Sequence, residues 1–194
     1  MSPQSTVVLA STSAYRAGLL RRLIDHFEQV APGTDEAALP GEHAAARAAR
    51  LAEAKARAVA ETRPGSIVIG SDQVADLGGR VLDKPGTVIE AHRQLTASSG
   101  REVTFHTAVC VIDLQGDATT HVDETRVCFR DLSRSDIERY VERERPLDCA
   151  GSFKCEGLGI VLFERIENED PTALVGLPLI ATARLLRAAG VVLP

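Results

Sequence analysis

The sequence is poor in the residue types that build zinc sites and in aromatic residues. It has no tryptophan, one methionine and 4% aromatic residues, and its four cysteines include no CxxC pair. The five histidines are scattered singly, so the chain offers little material for a zinc site. We expect the cysteines to be reduced, small core residues. Cys110 and Cys128 could face each other on adjacent strands, but a cytoplasmic location argues against a disulfide bond.

Long apolar runs and excess positive charge are also absent. No apolar run approaches the roughly 18 residues that a membrane-spanning helix needs. Residues 1–13 lack the basic and apolar regions of a secretory signal, so we expect a cytoplasmic protein without a membrane anchor. The net charge of −5 excludes the broad basic surface of a non-specific nucleic-acid binder. Any polyanion must therefore be bound by a few locally placed cations.

The pattern of strands and helices predicts an α/β fold. With 194 residues, the chain is expected to form a single domain over 1–194, possibly of two closely joined lobes. Strand-like segments are 7–10, 67–71, 80–82, 102–114, 120–132 and 158–166, and helix-like segments lie near 14–24, 43–61, 87–97, 133–145 and 176–190. Crossover and hairpin connections alternate along the chain. This favours a mixed twisted sheet flanked by helices.

The first strand-turn-helix segment is a candidate anion site. Ser11, Thr12 and Ser13 follow the strand 7–10, where hydroxyls and free backbone N–H groups would meet the positive end of a helix. Arg16 lies in the first turn, and its guanidinium could close over a phosphate. The alternative is that Ser13 simply caps the helix, which is the commoner role of a serine at this position.

Lysine is rare in this chain, which makes its positions informative. Only three of the 22 cationic residues are lysine. Lys55 shares the apolar stripe of its helix, so it should point into the protein and need a buried partner or a cleft. Lys84 and Lys154 lie in loops. Chance is the likelier explanation for any single lysine, but the three together favour one shared anion, for which a compact ammonium is well suited.

Carboxylates at loop positions suggest a divalent metal site. Asp72 follows the apolar strand 67–71, and a carboxylate beyond a strand end can bind metal or activate water. A turn-forming role for Asp72 is an equal alternative. Asp35 and Glu36 add further oxygen ligands, which suit Mg²⁺ or Mn²⁺. The P-loop, the Rossmann fingerprint and the GxSxG elbow are missing from the sequence.

Several ordered motifs together resemble the Maf family of nucleotide pyrophosphatases. LASTSAYRAGLL (9–20) is similar to the N-terminal signature of the family. TDE (34–36), the helix lysine, GSDQV (70–74), DKP (83–85) and LVGLPL (174–179) follow at matching spacing. The resemblance covers essentially the whole chain and is closest to the branch of 7-methyl-GTP pyrophosphatases. Three positions depart from the signature: alanine at 14 and 17, and tyrosine at 15 where this branch usually has tryptophan.

The resemblance implies a fold, a reaction and a set of site residues. The fold would be of the Maf and inosine-triphosphatase type with a central cleft, in a homodimer. The reaction would be metal-dependent hydrolysis between the α- and β-phosphates of a nucleotide. The implied roles are general base and metal ligand for Asp72, metal ligand for Glu36, phosphate binding for Ser11, Arg16, Lys55 and Lys84, and base selection for Tyr15, Gln73 and Glu156.

Two alternatives to this function stay open from the sequence. A nucleotide-binding regulator of cell division would bind nucleotides with slow or incidental hydrolysis. A pyrophosphatase acting on UTP, CTP or dTTP would share the chemistry but differ in the base. The methylated guanine carries a delocalised positive charge, which an aromatic face at Tyr15 and a carboxylate at Glu156 would favour.

Overall fold

Residues 6–194 are described by the computed structural model, and they form a mixed α/β fold. The strands are β1 (Val7–Ala10), β2 (Glu28–Gln29), β3 (Ile67–Asp76), β4 (Glu102–Ile112), β5 (Ala118–Phe129) and β6 (Phe163–Glu167). The helices are α1 (Ala14–Leu20), α2 (Ala44–Ala60), α3 (Val88–Ser98), α4 (Arg134–Glu144) and α5 (Leu179–Ala188). The sheet order is β2-β1-β3-β4-β5-β6. Since β1 runs parallel to β2 and β3 while β5 and β6 are antiparallel, the predicted mixed sheet is confirmed.

The chain divides into two compact units. Of the described residues, the first unit contains 6–72, 107–123 and 170–194, and the second contains 73–106 and 124–169. Strand β3 begins in the first unit and continues into the second after Asp72. The prediction of one domain with a central cleft stays a prediction. No helix formed by residues 6–194 combines the length and the apolar character needed to span a bilayer.

The first unit is built on the parallel pair β1 and β3. All four residues of β1 are buried, as expected for a parallel strand that is covered on both faces. On one face, residues of β1 and β3 pack with apolar side chains of α1 and α5 in a single hydrophobic cluster. On the other face, α2 approaches β3 at Gly70. Helices therefore cover both faces of this part of the sheet.

The approach of α2 to β3 depends on small residues. An added Cβ on Gly70 would lie 2.1 Å from the Ala52 carbonyl oxygen and 2.7 Å from the Ala56 nitrogen, so only glycine fits at this position. On the helix, Ala48, Ala52 and Ala56 are completely buried and repeat every four residues. This contact brings the backbone of α2 directly against the strand and sets the position of the helix residues between these alanines.

The second unit has its own apolar core, in which Phe153 packs edge-on against Phe105, Phe129 and Phe163. Ser133 caps α4 with a reciprocal capping box to Asp136, in agreement with the predicted helix start. Two expectations are wrong in detail. Residues Leu158–Leu162 form a 3₁₀ helix before β6, and the predicted strand 80–82 is reduced to one bridge between Val81 and Asp76.

Candidate active site

Lys55 is the centre of a charged cluster in the first unit. Its Nζ lies 2.6 Å from Asp72 Oδ1 and 2.6 Å from Glu36 Oε1. Lys55 is 5% exposed and Asp72 is 7% exposed, whereas the Glu36 side chain is half exposed. The prediction that Lys55 points into the protein is confirmed, and of the two expected surroundings it has the buried partner, Asp72. Because both acids bond the same ammonium, their nearest oxygens lie no more than about 5 Å apart.

Asp72 lies within strand β3, and the prediction that the strand ends before it is wrong. The strand runs on to Asp76, so its backbone is extended at Asp72 and the turn-forming alternative does not apply either. Side chains two apart on a strand share a face, and Asp72 therefore points to the same side as Gly70. Close packing of α2 at Gly70 brings Lys55 to the carboxylate. Gly70 is a positioning residue that the sequence analysis missed, although a glycine inside a buried strand is a known sign of close backbone approach.

Glu36 lies in a loop that two arginines of α2 hold. Arg47 Nη2 donates to the Glu36 carbonyl oxygen at 3.2 Å, and Arg50 Nη2 donates to the Ala37 carbonyl oxygen at 3.1 Å. Arg50 also forms a bidentate pair with Glu42 at 2.6 and 2.7 Å. Hydrogen bonding from Arg50 lowers the pKa of Glu42 from 4.5 to about 2. The helix that carries Lys55 thus also fixes the loop that carries Glu36, a role of Arg47 and Arg50 that was not predicted.

Ser11, Ser13 and Arg16 form a connected group at the start of α1. Ser13 Oγ accepts the Arg16 backbone N–H at 3.3 Å, so the capping alternative for Ser13 is confirmed. Ser11 Oγ accepts the Ser13 N–H at 3.1 Å and lies 3.5 Å from Arg16 Nη1. Arg16 Nε donates to the Gly176 carbonyl oxygen at 2.9 Å. Burial lowers the pKa of Arg16, and the charges of Asp72 and Glu36 oppose this shift.

The first unit therefore gathers two cations and two carboxylates, of which Arg16 and Lys55 could bind phosphate oxygens. Over residues 6–194, no group of three or more acidic, histidine or cysteine side chains could hold a metal ion by itself. Asp72 and Glu36 supply two hard oxygen ligands, and Mg²⁺ commonly binds one or two carboxylates together with water and substrate phosphates. The residues therefore fit a divalent ion that is completed by the substrate.

For the other predicted site residues, the structure gives the burial of each side chain and the unit that contains it. Tyr15, in the first unit, is half-buried. In the second unit, Gln73 is half-buried, and Lys84 and Glu156 are exposed. Lys154 Nζ lies 3.5 Å from the Glu144 carbonyl oxygen and 3.8 Å from the Asp148 carboxylate, so its ammonium contacts the end of α4 and the loop that follows. The roles predicted for these side chains in base selection and phosphate binding stay predictions.

The comparison with known families decides the relationship of this chain. The model described as Maf-like protein matches residues 6–189. The chain belongs to the Maf family. The family resemblance inferred from the sequence motifs is thereby confirmed. The motifs also supply the residues of the site: Ser11 and Arg16 lie in the segment 9–20, Glu36 lies in TDE (34–36) and Asp72 lies in GSDQV (70–74).

Curated Maf relatives align along nearly the full chain. A 7-methyl-GTP pyrophosphatase of Xanthomonas campestris pv. campestris (strain 8004) is 59% identical over 188 residues, covering 97% of this chain and 98% of the relative. Proteins of the same name from Aromatoleum aromaticum and Hahella chejuensis are 54% and 48% identical, covering 98% and 100% of this chain and 98% of each relative. Among solved structures, a dITP/XTP pyrophosphatase from Mycobacterium abscessus is 14% identical with a TM-score of 0.44, covering 94% of this chain and 93% of that one.

Proposed function

We propose that this protein is a nucleoside triphosphate pyrophosphatase that hydrolyses 7-methyl-GTP to 7-methyl-GMP and pyrophosphate. The observation that carries the proposal is the buried Lys55 ammonium bonded to both Asp72 and Glu36, with the Arg16 guanidinium in the same unit. Relatives that are 48% to 59% identical carry the name of this activity. A site of this composition suits a reaction in which charge is stabilised on a triphosphate.

Each residue of the cluster has a distinct part in the proposed reaction. Lys55 and Arg16 bind phosphate oxygens, and Asp72 accepts the proton of the attacking water. A triphosphate that binds the Lys55 ammonium would compete with Asp72 for its hydrogen bonds. This competition would leave an Asp72 carboxylate oxygen able to accept a proton. Ser11 and Lys84 are proposed to bind further phosphate oxygens.

Asp72 and Glu36 would also hold the divalent ion, Mg²⁺ or Mn²⁺. When bound, this ion would withdraw negative charge from the triphosphate and help to orient it. Tyr15, Gln73 and Glu156 are proposed to select the base, with the aromatic ring and the carboxylate favouring the positive charge of 7-methylguanine. We also propose that the enzyme is a cytoplasmic homodimer.

The reaction is tested with Asp72→Asn, which keeps the size of the side chain but removes the base. We expect pyrophosphate release to fall at least about 100-fold in a variant that still folds. Its melting temperature should be lower than that of the wild type, because the buried Lys55 ammonium loses the charge of Asp72. Asp76→Asn is the matched control, because Asp76 lies on the same strand and its carboxylate accepts the Gly79 N–H of a turn. Normal turnover in Asp72→Asn would remove this residue from the mechanism.

The substrate is tested with a panel of 7-methyl-GTP, GTP, UTP, CTP and dTTP, each with Mg²⁺ and with Mn²⁺. We expect the highest kcat/KM for 7-methyl-GTP. Steady turnover of a different nucleotide would correct the substrate and leave the reaction class standing. Nucleotide binding without steady release of pyrophosphate would contradict the enzyme and favour a regulator.

A further inference from the structure

The segment 170–179, DPTALVGLPL, contains a Maf motif but contributes no side chain to the charged cluster. Its link to the site is a backbone carbonyl. The Gly176 oxygen accepts a hydrogen bond from Arg16 Nε at 2.9 Å and another from Ser71 Oγ at 3.0 Å. We propose that this carbonyl is a positioning group that aims the Arg16 guanidinium at the triphosphate. The inference rests on the proposed function of Arg16 in phosphate binding.

The geometry of Arg16 supports such a role. A guanidinium carries five N–H donors in a fixed plane, so a bond at Nε sets the direction of the other four. One of these, on Nη1, reaches Ser11 Oγ, and the rest have no hydrogen-bond acceptor among residues 6–194. The three remaining N–H groups, one on Nη1 and two on Nη2, can therefore face a phosphate while Nε stays on the carbonyl. A lysine at this position would have no equivalent of Nε.

The carbonyl itself is held from two sides. Two donors occupy both lone pairs of the Gly176 oxygen, and Ser71 is completely buried. Ser71 directly precedes Asp72, and neighbouring strand residues point to opposite faces. The same strand thus presents Asp72 to Lys55 on one face and anchors the carbonyl that binds Arg16 on the other. Movement of the Gly176 carbonyl would therefore change the position of the Arg16 guanidinium relative to the Asp72 carboxylate.

A buried network fixes the rest of the segment. Thr172 Oγ1 lies 2.6 Å from Asp170 Oδ1 and 3.0 Å from the Leu177 carbonyl oxygen, and it accepts the Leu179 N–H at 2.9 Å. Asp170 Oδ2 accepts the Ile180 N–H at 2.7 Å. These bonds satisfy the first N–H groups of α5, whose N-cap residue is a proline without a side-chain cap. The network therefore holds the backbone on the C-terminal side of Gly176.

Glycine is needed at 176 for its backbone conformation. Its φ of 126° and ψ of 6° are accessible to glycine and strained for other residues. An added Cβ would meet Arg16 Nε and Cγ only at 3.6 and 3.7 Å, which are ordinary contacts. Gly176→Ala should therefore rotate the backbone and move the carbonyl without a direct clash with the arginine.

The test is a double-mutant cycle of Gly176→Ala and Arg16→Lys, read as kcat/KM for pyrophosphate release. Misplacing a group by about 1 Å can cost on the order of 100-fold. We expect Gly176→Ala to lower kcat/KM about 10- to 100-fold beside Arg16, but less than about 3-fold beside Lys at position 16. Equal losses in both backgrounds would overturn the positioning role, because a merely structural defect does not depend on residue 16.

Two further variants keep the test decisive. If Gly176→Ala does not fold, Ser71→Ala takes its place in the same cycle with the same criterion. Ser98→Ala is the matched control, since Ser98 is equally buried but its hydroxyl bonds the Gln94 carbonyl of its own helix at 3.0 Å. A wild type without turnover would contradict the proposed function. The cycle would then be read on the Kd of inorganic pyrophosphate by calorimetry, where equal losses again overturn the inference.

Discussion

Replacing Gly70 with alanine tests how the packing of one helix on one strand creates the charged cluster. The new Cβ would lie 2.1 Å from the Ala52 carbonyl oxygen and 2.7 Å from the Ala56 nitrogen. Ordinary contacts to a Cβ begin at 3.4 Å, so α2 and β3 must separate by about 1 Å. Both contacts are to backbone atoms, which a change of side-chain rotamer cannot relieve.

This separation has a cost in stability and a cost in the site. Overpacking typically costs about 1 to 3 kcal/mol, and backbone contacts this short place the variant near the upper end, at about 3 kcal/mol. For a chain of this length, each kcal/mol lowers Tm by about 2 to 4 °C, so we expect Tm to fall by about 6 to 12 °C. The 2.6 Å bond between Lys55 and Asp72 would lengthen beyond hydrogen-bonding distance, and pyrophosphate release should fall even where the variant is folded.

The assay combines thermal unfolding followed by circular dichroism with kinetics well below the lowered Tm. Gly18→Ala is the matched control: Gly18 lies in α1, and its added Cβ would meet nothing within 4 Å. That variant should be unchanged or stabilised by up to about 1 kcal/mol. A Gly70→Ala protein with the wild-type Tm and activity would refute the view that close approach at Gly70 places Lys55.

Two further predictions concern protonation. Hydrogen bonding from Arg50 lowers the pKa of Glu42 from 4.5 to about 2, so the stabilisation that the Glu42 carboxylate contributes is present above pH 4.5 and is lost as the pH falls towards 2. The difference in unfolding free energy between the wild type and Glu42→Gln, measured by urea titration, should therefore shrink over that range. A difference in unfolding free energy that stays constant with pH would contradict a stabilising ion pair between Glu42 and Arg50. Burial raises the pKa of the Cys149 and Cys155 thiols from 9 to about 12. The negative charges of Asp148 beside Cys149 and of Glu156 beside Cys155 add to this shift. Iodoacetamide at pH 8 should label both, by mass spectrometry, at least about 100-fold more slowly than in the urea-unfolded chain, and comparable rates would refute these environments.

Local patterns predicted much of the fold. The strand 7–10, the helix near 43–61 and the helix starts near 87 and 133 are found within one or two residues of the expected places. The inward position of Lys55 followed from the apolar stripe of its helix, because helical periodicity fixes which residues share a face. The first helix is shorter than expected and ends at Leu20, with the apolar residues Leu23 and Ile24 beyond it packed on the core.

Long-range contacts explain what the sequence did not reveal. Asp72 was placed beyond a strand end because its polar neighbours resemble a loop, yet partners distant in sequence keep these residues in the strand. Arg47 and Arg50 hold the loop of Glu36 because this loop folds back on α2, and no local sequence pattern encodes that contact. The link from Gly176 to Arg16 spans 160 residues, so only the folded chain brings the motif to the site.

The balance of charge in the first unit indicates why phosphate binding there should depend on a divalent ion. The cations Lys55 and Arg16 are matched by the carboxylates Asp72 and Glu36, so the cluster as a whole is neutral. A triphosphate carries several negative charges, and charge in a site of limited hydration must be compensated locally. A divalent cation shared by the two acids and the phosphates would restore the balance, and the two acids that offset the charges of Lys55 and Arg16 would be the groups that attract it.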